Sequence, residues 1–556
     1  MIVQDSPPKV VVIGLDGGTF DLIKPWVDAG VLPTFERLMN GGIWGELRST
    51  MPPITAPAWS SFITGKNPGN HGLIDFVKRR PGTYRVSPVN ASLRKGQSLW
   101  SLLSAENKKV LVVNVPVTYP PEEVNGVLIS GLLTPSESSD FTFPTELATK
   151  LRSSGYRIHS PQSYARGNIE RFLKDIESIT AIQISHLWQL MDQESWDFMM
   201  YVFRGPDRLQ HGLWHFMDPE HPHHGAPGTE RYKDAIQKHY QSIDGYLAEL
   251  LERLEKDTVL ILMSDHGFGP FYKYIYMNNW LMKWGLMRLK RGPTTFMKKL
   301  AFKSGITPIS IYNQMLKLGL GGLKGKVTKG KGQTKLARFF LSFDDIDWSR
   351  TSVYSLGNAG QLWLNVQGRE PQGIVSPGAQ YEAVRKEVIE RLLTMRDPET
   401  GEEMVDEVYT REQLYSGAYV NNMPDIVFVP KGFRYLSFGE YEFASNRLVD
   451  ISYGITGWHR MNGMALFHGR PIHPGNQLIE ARIEDIAPTI LYLLGQPIPS
   501  SMDGRVLAEI LRPDWVDSER ITSRDEVGEQ IQHEIDISEE DEAAVRRRLE
   551  DLGYLG

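Results

Sequence analysis

Six short β-branched runs, separated by helix-length amphipathic stretches, constrain this chain more than any other feature. They are KVVVIGLDGG (9–18), KKVLVVNVPVTYP (108–120), GVLISGL (126–132), WDFMMYVFRGPD (196–207), TVLILMSDHG (258–267) and DIVFVPKG (425–432). Successive Cβ atoms of a strand point to opposite faces, so a run of consecutive apolar residues offers apolar surface on both sides of a sheet. Both sides must then be covered. Between the runs, YKDAIQKHYQSIDGYLAELLERLEK (232–256) spaces Ile236, Tyr240, Ile243, Leu247 and Leu251 at i, i+3/i+4, the signature of an amphipathic helix. The pattern predicts an α/β fold with a mostly parallel sheet flanked by helices on both faces. In such sheets sites gather beyond the carboxyl ends of the strands. Asp16, Asp207 and Asp265 all stand at such ends.

Composition narrows the chemistry. A net charge of −6 argues against nucleic acid as a partner, and the absence of any Cys removes disulfides, thiolate ligands and a cysteine nucleophile. Any metal must be held by His and carboxylate. The N-terminus lacks a basic stretch followed by a long apolar one, and no run approaches 18 uninterrupted apolar residues, which leads us to expect a cytoplasmic protein without a spanning helix.

Two segments differ from the rest. No Asp or Glu lies between Asp265 and Asp344, where Lys and Arg total 15, and GLGGLKGKVTKGKGQTK (319–335) reads as a flexible loop. Residues 514–556 hold 14 acidic and 5 basic residues and end in the helical EEDEAAVRRRLEDLGYLG. The plain reading is an inserted surface hairpin and a solvated tail. A sharper one has the basic insertion meeting an anionic surface, whether a membrane, the substrate or the tail, since TFMKKLAFKSGITPISIYNQMLKLGL (295–320) is apolar enough for interfacial contact.

The chemistry-bearing residues form a set. Asp265 and His266 stand side by side at a strand tip, Asp16 precedes two glycines at another, and Asp207 and His211 in RGPDRLQHGLWH share a helix face at i, i+4. His215 lies one turn further, and His459 sits among small residues in GITGWHRMNGMALFHG. His221, His223 and His224 fall in a Pro-rich loop and read as surface residues. Singly, each has a plainer role: Asp16 as a turn or cap, His459 as a hydrogen-bonded structural histidine. Together, Asp16, Asp207, His211, Asp265, His266 and His459 suffice for two divalent ions, with Zn²⁺ first and Mn²⁺ as the alternative. Two adjacent ions suit in-line displacement at phosphorus. The candidate nucleophile is Thr55 in TAPAWSSFITG, at or just before a helix start where free N–H groups favour a phosphoryl group. A plain helix cap is the alternative role.

The motifs GLDGG, TAPAWSSFITGKNPGNHG, PDRLQH, MSDHGFG and GWHRMNG, in this order, resemble the alkaline phosphatase superfamily and within it the type I phosphodiesterase/nucleotide pyrophosphatase family. The closing IEDIAPTILYLLGQPIPSSMDGRVL (483–507) resembles the end of such domains. The resemblance implies an alkaline-phosphatase-like catalytic domain, placed in residues 1–284 and 346–512, while the shifts in composition set apart an inserted basic cap segment in 285–345 and an acidic tail with a terminal helix in 513–556. It implies one metal on Asp16, Asp265 and His266 beside Thr55, and a second on Asp207, His211 and His459. Thr55 would attack phosphorus to give a covalent phosphothreonine. The family places an Asn two turns past the helix; this chain has Phe76 there, and Lys66, Asp75 and Arg204 are the nearby candidates for altered phosphate contacts.

The expected function is a two-metal phosphodiesterase acting on a small phosphate ester. Alternatives on the same site are a phosphomonoesterase, a sulfatase or phosphonate hydrolase, and a phosphoryl-group transferase. TAPAW lacks the Arg that sulfatases of this superfamily carry. A non-catalytic metal-stabilised binding protein is the alternative from a different class. Cap segments within 76–106, 133–185 and 285–345 are expected to choose the substrate.

Overall fold

Alternate residues of the first strand serve two different cores, and this organises the molecule. The computed structural model describes residues 7–160, 164, 168–317, 339–437, 439, 443–475, 477–516, 523–524, 535 and 537–554. Its central sheet comprises β1 (Val10–Leu15), β2 (Ile43–Arg48), β3 (Val110–Val115), β4 (Gly126–Ser130), β5 (Thr142–Phe143), β6 (Phe198–Phe203), β7 (Val259–Met263), β8 (Asn462–His468) and β9 (Ala481–Arg482). The spatial order is β9-β2-β8-β7-β1-β6-β3-β4-β5. β1 pairs in parallel with both β6 and β7, and β3 in parallel with β6 and β4. β8 runs antiparallel between β7 and β2, and β5 is an antiparallel edge.

On one face Val10 and Val12 pack with Trp59 and Phe62 of α1 (Thr55–Thr64) and with the helices Leu99–Ala105 and Ile486–Leu493. On the other, Val11, Ile13 and Leu15 pack with the helices Phe20–Asp28, Pro33–Gly41, Ile169–Gln193 and Ala235–Arg253 and with α2 (Gly205–Met217). Each such side chain removed from water contributes roughly 1.5–3 kcal/mol. A one-residue slip would exchange the two faces of a strand.

Five of the six apolar runs are strands of this sheet. The sixth, Ile426–Val429, belongs to a separate four-stranded antiparallel sheet with Val353–Ser355, Gln361–Leu364 and Glu407–Thr410. It is apolar on both faces because Ile426 and Phe428 enter one core while Val427 and Val429 enter another. The first of these cores also takes in Leu286, Met287, Phe302, Leu341 and Trp348, so the described part of the basic insertion packs into the same body as this sheet. Residues 318–338, with GLGGLKGKVTKGKGQTK, lie outside the described residues. Within 133–185, where a cap segment is expected, Ala148, Leu151, Phe172 and Ile176 share a core with the strands of the sheet.

The C-terminal helix α3 (Glu539–Leu552) does not lie in solvent. It buries Val545 and Leu549, pairs Glu542 with Arg80 at 2.5 Å, and donates from Arg546 to the Val86 carbonyl at 2.8 Å. No helix among the described residues is long and apolar enough to cross a membrane.

Candidate active site

β1 and β7 are neighbours and parallel, so the turns that leave them open on one edge of the sheet. Asp16 follows β1, and Asp265 and His266 follow β7. Gly17 adopts φ +68°, which turns its N–H onto Asp265 Oδ1 at 3.1 Å; a Cβ there would meet the Phe268 ring at 2.8 Å. His266 Nε2 lies 3.2 Å from Asp265 Oδ2 and 3.8 Å from Asp16 Oδ1. α1 starts at Thr55, with Ile54 as its cap residue, and Thr55 Oγ1 stands 3.2 Å from His266 Nε2. Thr55 is thus in the first turn of the helix, where backbone N–H groups are unpaired.

The second half comes from elsewhere in the chain. α2 carries Asp207 and His211 one turn apart, with Oδ1 and Nε2 at 3.2 Å. The chain leaving His266 forms the strand Gly267–Pro270, which pairs antiparallel with Gly457–Arg460 and sets Phe268 opposite His459. His459 Nε2 is 3.3 Å from Asp207 Oδ1 and 3.1 Å from His211 Nε2, and its ring stacks on His266 at 3.6 Å.

Three backbone carbonyls fix the histidine tautomers. A carbonyl can only accept, so Nδ1–H of His211 donates to Gly457 at 2.9 Å, that of His266 to Gly267 at 3.1 Å, and that of His459 to Pro53 at 2.8 Å. With Nδ1 so engaged, all three rings turn Nε2 into one cluster. Burial pushes the His266 imidazole well down and the His459 imidazole to about 4, which keeps them unprotonated.

The carboxylates face the same point. Asp16 Oδ1, Asp207 Oδ1 and Asp265 Oδ2 are buried and have no hydrogen-bond partner among the described residues. Burial and then the neighbouring carboxylates raise Asp16; burial foremost raises Asp265 to about 8. Orphaned carboxylate oxygens and inward lone pairs at 3 Å spacing repel one another and fit divalent cations between them. Two groupings bring ligand atoms within 4.8 Å of one another: Asp207, His211 and His459, and Asp16, Asp207 and His266. Asp207 belongs to both.

The remaining candidates are placed otherwise. Lys66 packs over Gly96 beyond the far end of α1, about 15 Å along the helix from Thr55. Asp75 is buried and accepts from Asn358 N at 2.7 Å, Asn358 Nδ2 at 3.0 Å and Gln361 Nε2 at 2.7 Å, so it organises a loop. Arg204 caps α2 and reaches the Ile158 carbonyl and His159 Nδ1, yet its charge is near enough to lower Asp16. His215 turns to Thr456 Oγ1 at 3.1 Å. His221 is buried on the Phe271 carbonyl at 2.9 Å, because its loop folds under the Gly267–Pro270 strand. Sequence reasoning missed Tyr554, whose hydroxyl donates to Asp207 Oδ2 at 2.7 Å. Its only trace was an aromatic residue after a helix-ending Gly in DLGYLG.

A family model for type I phosphodiesterase/nucleotide pyrophosphatase matches residues 10–442. The chain belongs to this family. Ectonucleotide pyrophosphatase/phosphodiesterase family member 1 of Rattus norvegicus is 26% identical over 303 residues, which is 52% of this chain and 27% of that protein. The chain therefore spans about a quarter of the length of this curated relative. The catalytic subunit of GPI ethanolamine phosphate transferase 3 of Homo sapiens is 28% identical over 95 residues, 17% of this chain and 7% of that protein. Phosphonoacetate hydrolase from Sinorhizobium meliloti 1021, in complex with phosphonoformate, superposes with a TM-score of 0.52 at 17% identity, covering 88% of this chain and 95% of that one. That likeness is one of fold. In this type I phosphodiesterase family member, the six ligand candidates and Thr55 meet at one edge of the sheet.

Proposed function

We propose that this chain is a phosphodiesterase that holds two divalent cations, zinc or alternatively manganese, and turns over a small phosphate ester through a covalent phosphothreonine on Thr55. The observation that carries the reading is the convergence of three tautomer-fixed Nε2 atoms and three orphaned carboxylate oxygens beside Thr55 Oγ1. Asp16, Asp265 and His266 would hold one cation, and Asp207, His211 and His459 the other. Bound there, the cations supply Lewis-acid polarisation of the phosphoryl group and lower the pKa of an attacking oxygen.

The chain's own groups do the rest. Thr55 sits in the first turn of α1, where the helix dipole and free N–H groups favour its alkoxide and an incoming phosphoryl oxygen. Its Oγ1 forms a bond to phosphorus as the bond to the departing alcohol breaks, and the alcohol takes up a proton. Water then cleaves the Oγ1–P bond and restores the hydroxyl. A monoester would bring a second negative charge needing a further cationic clamp. Arg204, the nearest candidate, is already turned to Ile158 and His159, which favours the diester.

The test is protein reconstituted with Zn²⁺ or Mn²⁺ and assayed on bis(4-nitrophenyl) phosphate, nucleotides and monoesters. Thr55→Ala should lose more than about a thousandfold in kcat with both ions retained. Activity persisting in that variant rules Thr55 out as nucleophile. An added alcohol in the same assay measures transfer in place of hydrolysis, the chemistry named for the transferase relative.

A second part of the proposal concerns the basic insertion. The helix Pro293–Lys303 and its exit expose Phe296, Met297, Leu300 and Ile306 next to exposed Lys299 and Lys303. Apolar side chains rimmed by lysines suit peripheral contact with an anionic lipid surface. Flotation should be stronger with phosphatidylserine vesicles than with phosphatidylcholine alone. Equal flotation removes this part and leaves the enzymatic reading intact.

A further inference from the structure

The C-terminal end of α3 reaches into the cluster. Gly553 takes φ +83° and ends the helix in left-handed backbone, which drops Tyr554 into the interior, where it is 2% exposed. The phenol donates to Asp207 Oδ2 at 2.7 Å. Its ring packs against Phe76 at 4.4 Å, His211 at 5.4 Å and His459 at 5.9 Å. The segment is clamped as well as packed. Asn358 Nδ2 donates to the Tyr554 carbonyl at 3.0 Å, and the Tyr164 hydroxyl donates to the Leu552 carbonyl at 3.1 Å. Asp75, which orients Asn358, thereby acts on the site at one remove.

The two oxygens of Asp207 have different surroundings. Oδ1 faces His211 Nε2 at 3.2 Å and His459 Nε2 at 3.3 Å and has no hydrogen-bond partner, whereas Oδ2 is held by the phenol. With Oδ2 held, the carboxylate cannot turn about its Cβ–Cγ bond without giving up a hydrogen bond inside the protein, where a lost bond is costly. Oδ1 therefore stays aimed between the two imidazoles. Among the described residues the phenol makes no such bond to Asp16 or Asp265.

We infer that Tyr554 is a positioning residue for the cation held by Asp207, His211 and His459, and that α3 is thereby a working part of the site. The inference rests on the reading of those three residues as cation ligands. Partners that orient metal ligands are worth about 10–100-fold in metal affinity. Occupancy of that cation and docking of α3 are then linked, each favouring the other.

The experiment is chelator competition with Zn²⁺ on the full chain, comparing wild type with Tyr554→Phe, which keeps the ring and its packing. The ion held by Asp207, His211 and His459 should bind about 10–100-fold more weakly and the other, whose grouping shares Asp207, should weaken less, while the melting temperature of the chelator-stripped protein stays the same. A purely structural role would lower that melting temperature and leave the cation affinities alike, which overturns the inference. Higher turnover in Tyr554→Phe, the mark of a tail that plugs the site, overturns it too. If wild type takes up two ions and hydrolyses the diester but the variant binds both equally, only this inference fails. If wild type takes up no second ion, the proposed function fails first and this inference with it.

Discussion

The two halves of the cluster reach the same edge of the sheet by different means. Asp16, Asp265 and His266 hang from the ends of β1 and β7, adjacent parallel strands locked by register from Val10 opposite Val259 to Gly14 opposite Met263. Asp207 and His211 come from a helix and His459 from a strand 248 residues beyond His211, with Tyr554 reaching in from the C-terminal helix. The first half inherits its rigidity from the backbone ladder. The second depends on tertiary contacts that must each form, so it is the more easily disturbed of the two.

Asp207 breaks the comparison most severely, because it belongs to both groupings of ligand atoms. Asp207→Asn should lower the uptake of both ions and reduce diester turnover by about a thousandfold or more, the rate equivalent of several kcal/mol of charge stabilisation. His459→Ala, which touches one grouping only, should leave one ion per chain. Metal analysis after dialysis separates the cases, and loss of both ions from His459→Ala would show that the halves are not independent.

That contrast also governs what the amino-acid sequence revealed. A strand tip is a local event: an apolar run, an Asp and a Gly within a few residues show both the strand and the direction of the side chain. Asp16, Asp265 and His266 were legible for that reason, and the i, i+4 spacing did the same for Asp207 and His211. His459 was legible only as a member of a set. Tyr554 was not, since nothing within DLGYLG records that Asn358 and Tyr164 clamp the backbone of this segment. Lys66 stood near Thr55 in sequence but lies past the other end of a ten-residue helix. The Ile426–Val429 run has the composition of a central strand because it separates two cores, and composition does not distinguish that from burial within one sheet.

A milder disturbance works through α3 without touching any ligand. Leu549 is fully buried, and its truncation in Leu549→Ala should cost about 2–5 kcal/mol, borne mainly by the docking of the helix. Hydrogen exchange should rise across Glu539–Leu552 and in α2, while amides of β1 and β7 keep their protection. Uniform loss of protection would mean that α3 unfolds with the sheet, and the second half would then be no more labile than the first.

The smallest effect concerns α1, which presents Thr55 to both halves and is anchored near its other end by His71. Leu73 N–H donates to His71 Nδ1 at 3.2 Å, so the ring proton is on Nε2 and donates to Ser61 Oγ at 2.9 Å. Burial, followed by the charge of Arg94, pushes this imidazole down to about 3. The folded state thus binds fewer protons than the unfolded chain, whose histidine titrates near 6.5. Its stabilising contribution is whole above that value and is lost progressively as pH falls toward 3. Urea midpoints measured from pH 7 to 4 should fall more steeply for wild type than for His71→Gln. Chelator should leave the difference unchanged, because His71 holds the scaffold and not a cation. A difference that vanishes in chelator would place His71 with the ligands and join the anchor of α1 to the metal-holding cluster.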